Sequence, residues 1–346
     1  KHLAAQMFNP ERLVLARQLN GITKSKLAKD IGKTPGAITQ FENGVKPNLA
    51  TIYQLTLALG VPLSFFTVRS GISPINGDEC HYRRLSSATK KYRNQLQAKG
   101  TLIQELIVYL GQFVEWQKEQ ISDLSRSVHS NDDIENLALE VREKWGLGIG
   151  PISNLSLLLE NKGIILVDIP PEAEGVDAFS TWSNNIPMAF LASDRDSASR
   201  MRFSLGHEFG HLIMHADVKA GDKPLERQAD RFSGAFLFPR EAFVREFPKR
   251  MNFQVLFDLK KRWKISVRAL VRRAYDLQLV SESTYKRANI ELNKRGFSRS
   301  EPFEPEKENP KLLKTIISSY CSHNNLMKDE LAESMGISPT LLGNYF

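Results

Sequence analysis

Apolar residues in the first seventy positions fall at helical spacing, in short runs separated by capping and breaking residues. Leu13, Leu15, Ala16 and Leu19 mark one face of a helix that stops at Asn20-Gly21. Thr23 predicts the cap of a second helix carrying Leu27, Ala28 and Ile31 and ending at Gly32. Thr34-Pro35 is a cap followed by proline at the first helical position. The helix it opens turns Ile38 and Phe41 inward and ends at Asn43-Gly44. Asn48 caps a fourth helix through Leu59, and Pro62–Phe66 closes the bundle. Two short helices around a glycine turn, the second one capped, have the shape that enters a DNA major groove.

Farther along, Leu102, Ile103, Leu106, Ile107, Leu110 and Phe113 keep a helical rhythm that suits a core or a dimer seam. The polar stretch Ser122–Asp133 predicts a boundary. Residues 134–145 and 152–161 then read as helices, 164–169 as a strand, and 176–182 with 186–191 as a hairpin. Ser197 or a neighbour opens a helix bearing Phe203, Leu205, His207, His211 and Leu212. Ser266 predicts the cap of another, with Leu270 and Val271 inward and Arg268, Arg272 and Arg273 outward. Residues 301–309, with Pro302, Pro305 and four glutamates, read as an exposed linker.

Beyond it, Leu331-Ala332, Met335-Gly336, Ser338-Pro339, Leu342 and Tyr345 repeat the spacing of Leu27-Ala28, Ile31-Gly32, Thr34-Pro35, Ile38 and Phe41. The expected fold class is mostly α with an α+β part. A helix-turn-helix bundle (1–70) is followed by a helical connector (71–130), an α+β domain (131–240), a helical extension (241–300) and a linker with a helix-turn-helix-like end (301–346).

Charge sharpens this picture. The 346 residues carry a formal net charge of +8. Residues 1–70 hold nine Lys/Arg against three acids, which suits a polyanion such as double-stranded DNA. The alternative is a bundle used only for protein contact. Cys80 and Cys321 form no metal-binding pair and are too few for a disulfide framework. No apolar run approaches the ~20 residues that span a bilayer, and no signal-peptide core is evident. The expectation is a soluble, cytoplasmic, nucleoid-associated protein with no membrane partner.

Candidate chemistry centres on His207-Glu208-Phe209-Gly210-His211. Positions i and i+4 share a helix face, so His207 and His211 can aim two imidazoles at one zinc ion. Glu208 sits beside the open coordination position as a general base toward water. His215 continues the series but lies eight positions from His207, about 12 Å along a helix at ~1.5 Å per residue, too far for one metal with ~2 Å bonds. It reads as a residue behind the metal or at the surface. Glu226 is the better third ligand, in a helix-forming run after Pro224. Asp230, one turn on, can receive the N–H of a ligating histidine.

Two resemblances follow from these residues. The segment 11–66, through Leu27-Ala28, Gly32, Ile38, Glu42-Asn43-Gly44 and Pro47, resembles the Cro/repressor-type (XRE) helix-turn-helix family. The resemblance implies that Thr34, Gly36, Ala37, Thr39 and Gln40 face base edges and that Lys24, Lys26 and Lys46 face phosphates. Lys24 stands where the family usually has Gln. The fold class implies a homodimer on paired half-sites. The run 202–212, with Glu226, Ala229, Asp230, Phe232 and Phe236-Leu237-Phe238-Pro239, resembles the ImmA/IrrE family of bacterial zinc peptidases. That resemblance implies a gluzincin-like site that cleaves a repressor or antitoxin, in a bacterial or phage-derived protein. Ser233-Gly234-Ala235 replaces the family's usual Ala-Ala. The alternatives are a transcription factor that senses zinc or an effector without cleavage, and an antitoxin-like docking protein.

Overall fold

The computed structural model describes residues 7–69, 71–72, 81–82, 90–111, 121–169, 178–183, 185–192, 197–216, 223–297 and 300–343. The chain divides into two compact units, one built from 1–77, 86–116 and 312–346, the other from 78–85 and 117–311.

In the first unit, α1 (Pro10–Leu19), α2 (Lys24–Asp30), α3 (Pro35–Glu42) and α4 (Leu49–Leu59) form the N-terminal bundle. Thr23, Thr34 and Asn48 each accept a backbone N–H from the first turn of their helix. This satisfies donors a helix start leaves open. Leu13, Leu27, Ile38, Ile52, Leu55 and Phe65 are buried inside, whereas Phe41 is only half-buried. Gly32 takes a left-handed φ of 63°, which lets the chain turn from α2 into α3 without a Cβ clash.

Helix α5 (Lys90–Gly111) packs on α1. Its Glu105 receives two hydrogen bonds, at 2.8 and 2.7 Å, from the buried Arg12 guanidinium. Leu102, Ile103, Leu106, Ile107 and Leu110 are buried, so the apolar stripe is core of this unit; Phe113 lies outside the described residues. The unit closes with α14 (Leu312–His323), α15 (Lys328–Ser334) and α16 (Pro339–Gly343). Gly336 turns α15 into α16 with φ 67°, much as Gly32 does at 63°. The bond from Ile337 N–H to Ala332 O (2.9 Å) likewise matches that from Lys33 N–H to Ala28 O (2.8 Å). A Cβ at Gly336 would meet Val68 at 2.8 Å, so the second helix-turn-helix-like element is built into the N-terminal unit. Tyr345 lies outside the described residues.

The second unit holds a small mixed sheet. Strand β4 (Ile186–Ala192) lies between β3 (Ala178–Ser183), antiparallel to it, and β2 (Ile165–Ile169), parallel to it; the two-residue β1 (His81–Tyr82) edges β3. The preceding helices are α6 (Asn131–Lys144) and α7 (Leu155–Asn161); the latter starts later than residue 152 because Asn154 caps it. Helix α8 (Ala198–Met214) packs on β3, β4 and α9 (Lys223–Leu237). Gly206 faces Ser233 while Gly210 faces Phe232 and Ala229, so the two helices run antiparallel. The small residue Ser233 serves this close approach where the family pattern suggests Ala.

Three expectations change here. The helices after 240, namely α10 (Arg240–Glu246), α11 (Phe253–Trp263), α12 (Val267–Asp276) and α13 (Glu282–Lys294), do not stand apart as an extension. Leu256, Trp263, Leu270, Val271 and Leu292 bury themselves in one core with Leu205, Phe209 and Phe236. Arg273 does not face outward: it is 4% exposed and makes a bidentate pair with Glu135 at 2.6 and 2.7 Å. Its charge is tolerated because a planar carboxylate meets it there.

The acidic stretch 301–309 is not an exposed linker either. Glu301 accepts from Val267 N–H at 2.7 Å, Glu304 from Ser199 N–H at 2.9 Å and Glu308 from Leu155 N–H at 2.8 Å. Each carboxylate thus sits at the positive end of a helix, of α12, α8 and α7 in turn. Composition suggested solvation, but these acids answer unpaired helix N–H groups that only the folded unit brings to them. Among the described residues no helix is long and apolar enough to cross a membrane.

Candidate metal centre and nucleic-acid interface

Helix α8 carries the pentapeptide into the interior. Ser197 caps it, and Glu304 reinforces that cap by accepting from the Ser197 hydroxyl at 3.1 Å. About three to four turns on, His207, Glu208 and His211 are all buried. Glu226 stands in the first turn of α9, half-buried, across from both histidines.

Three donor groups converge. His207 Nε2 and His211 Nε2 are 3.0 Å apart. Glu226 places Oε2 at 3.5 Å from the first and Oε1 at 3.3 Å from the second. Ligands at ~2.05 Å on a tetrahedral zinc lie about 3.3 Å from one another. The group His207, His211 and Glu226 could therefore hold a metal ion, and its spacing fits zinc.

Charge and proton placement favour a cation here as well. Asp230 Oδ1 lies 2.8 Å from His207 Nδ1. A carboxylate there accepts the Nδ1 proton and leaves Nε2 with its lone pair. His211 Nδ1 is occupied in turn by His215 Nδ1 at 2.9 Å. Two imidazole lone pairs and a carboxylate around one point repel unless a cation sits among them. Burial raises the Glu226 carboxyl, but the hydrogen bonds and positive charge that His207 and His211 supply when protonated outweigh it and hold the group well below the usual carboxylate range; a cation bound between the neutral rings would act in the same direction.

Glu208, next to His207 along α8, is held by a residue the sequence did not single out. The buried Ser180 hydroxyl, on β3, donates to Glu208 Oε2 at 2.7 Å. Residues 178–181 are all buried, so no alternation in the pattern marked Ser180. Gln228 was also missed, although it stands between Glu226 and Asp230; its Oε1 is 2.8 Å from His215 Nε2. His215 is no surface residue: it is 2% exposed, behind His211.

On the N-terminal bundle, Thr34, Gly36 and Gln40 are exposed, and Ala37 and Thr39 half-exposed. Two of these hydroxyls have local duties. Thr34 accepts from Ala37 N–H at 3.2 Å, and Thr39 donates to Pro35 O at 3.1 Å. Lys24 pairs with Glu42 at 2.8 Å, an acid that Arg17 also holds at 2.6 Å. Lys26 pairs with Asp30 at 2.6 Å, and Lys46 is exposed.

Comparison with known families finds a match in each of these two regions of the chain. Residues 13–66 match the family model described as Helix-turn-helix, and residues 159–275 match that of the IrrE N-terminal-like domain, a peptidase family. No curated protein matches the chain. The chain thus carries an XRE-type helix-turn-helix domain and an IrrE N-terminal-like domain with a His-His-Glu metal-binding group. The second match runs past residue 240, through helices that share the same core.

Proposed function

We propose that this protein is a cytoplasmic transcriptional regulator that reads operator DNA and whose second unit is a zinc-dependent endopeptidase acting on a repressor, an antitoxin or another regulatory protein. The observation that carries this reading is the convergence of two imidazoles and a carboxylate at tetrahedral spacing, with a buried Glu208 following the first imidazole on the same helix. His207, His211 and Glu226 would hold the ion, and Asp230 fixes the ring of His207. A bound zinc supplies Lewis acidity toward a carbonyl oxygen and toward water. Glu208 takes a proton from the attacking water and passes it to the leaving amine. Ser180 orients the Glu208 carboxylate for that task by donating to its Oε2.

In the DNA-reading unit, Thr34, Gly36, Ala37, Thr39 and Gln40 face base edges, with Gln40 carrying most of the preference. Lys26 and Lys46 meet phosphates, and Lys24 contributes less because Glu42 already holds it. The Lys26–Asp30 pair is an exposed one, of the kind worth ~0–1 kcal/mol, so it gives way to a phosphate easily. The active form on DNA is a homodimer.

The test is to incubate the zinc-loaded full chain with the repressor or antitoxin encoded beside it. Cleavage is expected from the native protein and not from Glu208→Gln. Zinc-dependent operator affinity without any cut protein would favour a sensor instead.

A further inference from the structure

His215 ends α8 as its cap residue and is buried, yet it is not one of the converging donors. Both of its ring nitrogens have partners: Nδ1 lies 2.9 Å from His211 Nδ1, and Nε2 lies 2.8 Å from Gln228 Oε1. We infer that His215 and Gln228 form a proton-ordering chain that sets the tautomer of His211 and so makes it a metal ligand.

The logic runs along the chain of atoms. An amide oxygen only accepts, so Gln228 Oε1 requires the proton on His215 Nε2. In the neutral ring that leaves His215 Nδ1 as an acceptor. The two facing Nδ1 atoms then share a single proton, which sits on His211. His211 Nε2 keeps its lone pair and presents it toward His207 Nε2 at 3.0 Å and Glu226 Oε1 at 3.3 Å.

Turning the Gln228 amide over would invert every bond in the series. Its NH2 would donate to His215 Nε2, His215 would donate to His211 Nδ1, and His211 would carry its proton on Nε2, where no metal can bind. The orientation of one half-buried amide therefore decides whether the buried imidazole is a ligand or a donor.

The two histidines are thus oriented by different means. His207 leans on the charged carboxylate of Asp230 at 2.8 Å, while His211 leans on a neutral pair. Helix α9 supplies the outer partner in both cases, together with the third donor Glu226. His215 and Gln228 are positioning residues: they act through His211 and touch neither the ion nor a substrate.

This inference rests on the metal reading of the site, and the experiment separates the two. Zinc affinity of the full chain is measured by competition with a chromophoric chelator, beside the visible spectrum of the cobalt(II) form. His215→Leu, which removes the acceptor, should weaken zinc binding by about 10- to 100-fold, as loss of such outer partners commonly does. The same change should alter the cobalt spectrum. His215→Asn, which puts an amide oxygen near the lost Nδ1, should retain most of the affinity.

Equal affinities of His215→Leu and the native chain would overturn the inference. So would equal losses in the Leu and Asn variants, which would reduce His215 to a packing role. If His215→Leu fails to fold, judged by far-UV circular dichroism, Gln228→Leu decides: a several-fold loss supports the chain and an unchanged affinity overturns it. A native protein that binds no zinc would sink the metal reading itself, and this inference with it.

Discussion

Gly210 of α8 lies so close to Phe232 of α9 that a methyl group on Gly210 would stand 3.0 Å from the Phe232 ring. One turn earlier, a methyl on Gly206 would stand 2.6 Å from the Ser233 hydroxyl. Glycines at these two points let the helix axes approach, and that approach brings Glu226 within reach of His207 and His211. The spacing of the metal donors is thus set partly by residues that carry no donor.

Gly210→Val should therefore weaken zinc binding as well as stability. Phe232 is fully buried between Phe209 and Phe236, with little room to move aside. Overpacking of this kind costs about 1–3 kcal/mol. Thermal unfolding and chelator competition on one variant check both effects; a stable variant with native zinc affinity would contradict the argument.

Glu208→Gln should retain zinc stoichiometry, because Glu208 is not among the converging donors. Peptide cleavage should fall by at least ~100-fold, the scale of a lost general base. Elemental analysis and a cleavage assay on the same preparation check the split. Loss of zinc in this variant would move Glu208 into the ligand set.

Removing the metal should destabilise the second unit, since the facing imidazole lone pairs and the carboxylate lose the cation that reconciles them. Zinc at a hundredfold excess over its dissociation constant should stabilise the fold by about 2.7 kcal/mol. The increment, read as a rise in Tm on adding zinc to chelator-treated protein, should vanish in Glu226→Ala.

Lys260 should prove indispensable to the fold. Its ammonium is fully buried, 3.0 Å from Glu301 and 2.6 Å from Glu304. Lys260→Ala strands those carboxylates, and breaking such a pair typically costs about 3–5 kcal/mol. Chemical denaturation measures the loss; a difference below about 1 kcal/mol would show that water reaches the site.

DNA affinity should fall steeply with salt, because each lysine–phosphate contact releases a counterion. Lys46→Ala should lower the slope of log K against log salt by about 0.9. Gln40→Ala should blur sequence preference more than it weakens nonspecific binding, as fluorescence anisotropy on operator and scrambled duplexes would report. Unchanged preference would remove Gln40 from the reading surface.

The local features were legible in the chain. Thr23, Thr34, Asn48, Ser197 and Ser266 announce helix starts because capping depends on a side chain and the few backbone N–H groups beside it. The pentapeptide 207–211 announces a metal for a similar reason, since i and i+4 share a face on any helix. Arg273 and the acids of 301–309 misled for the opposite reason. Charge predicts exposure only until a distant partner is known, and Glu135 and the starts of α7, α8 and α12 are distant partners.

What the sequence by itself determined is the kind of elements and the kinds of atoms they carry: short capped helices, a hairpin, two histidines on one turn-spaced face and a carboxylate downstream. Tertiary structure alone decided which of those atoms meet. Glu226 reaches the histidines because α9 returns antiparallel across two glycines, Ser180 reaches Glu208 from a strand, and Gln228 reaches His211 only through His215. Such encounters depend on packing between segments far apart along the chain, and periodicity, which records only a residue's near neighbours, carries no trace of them.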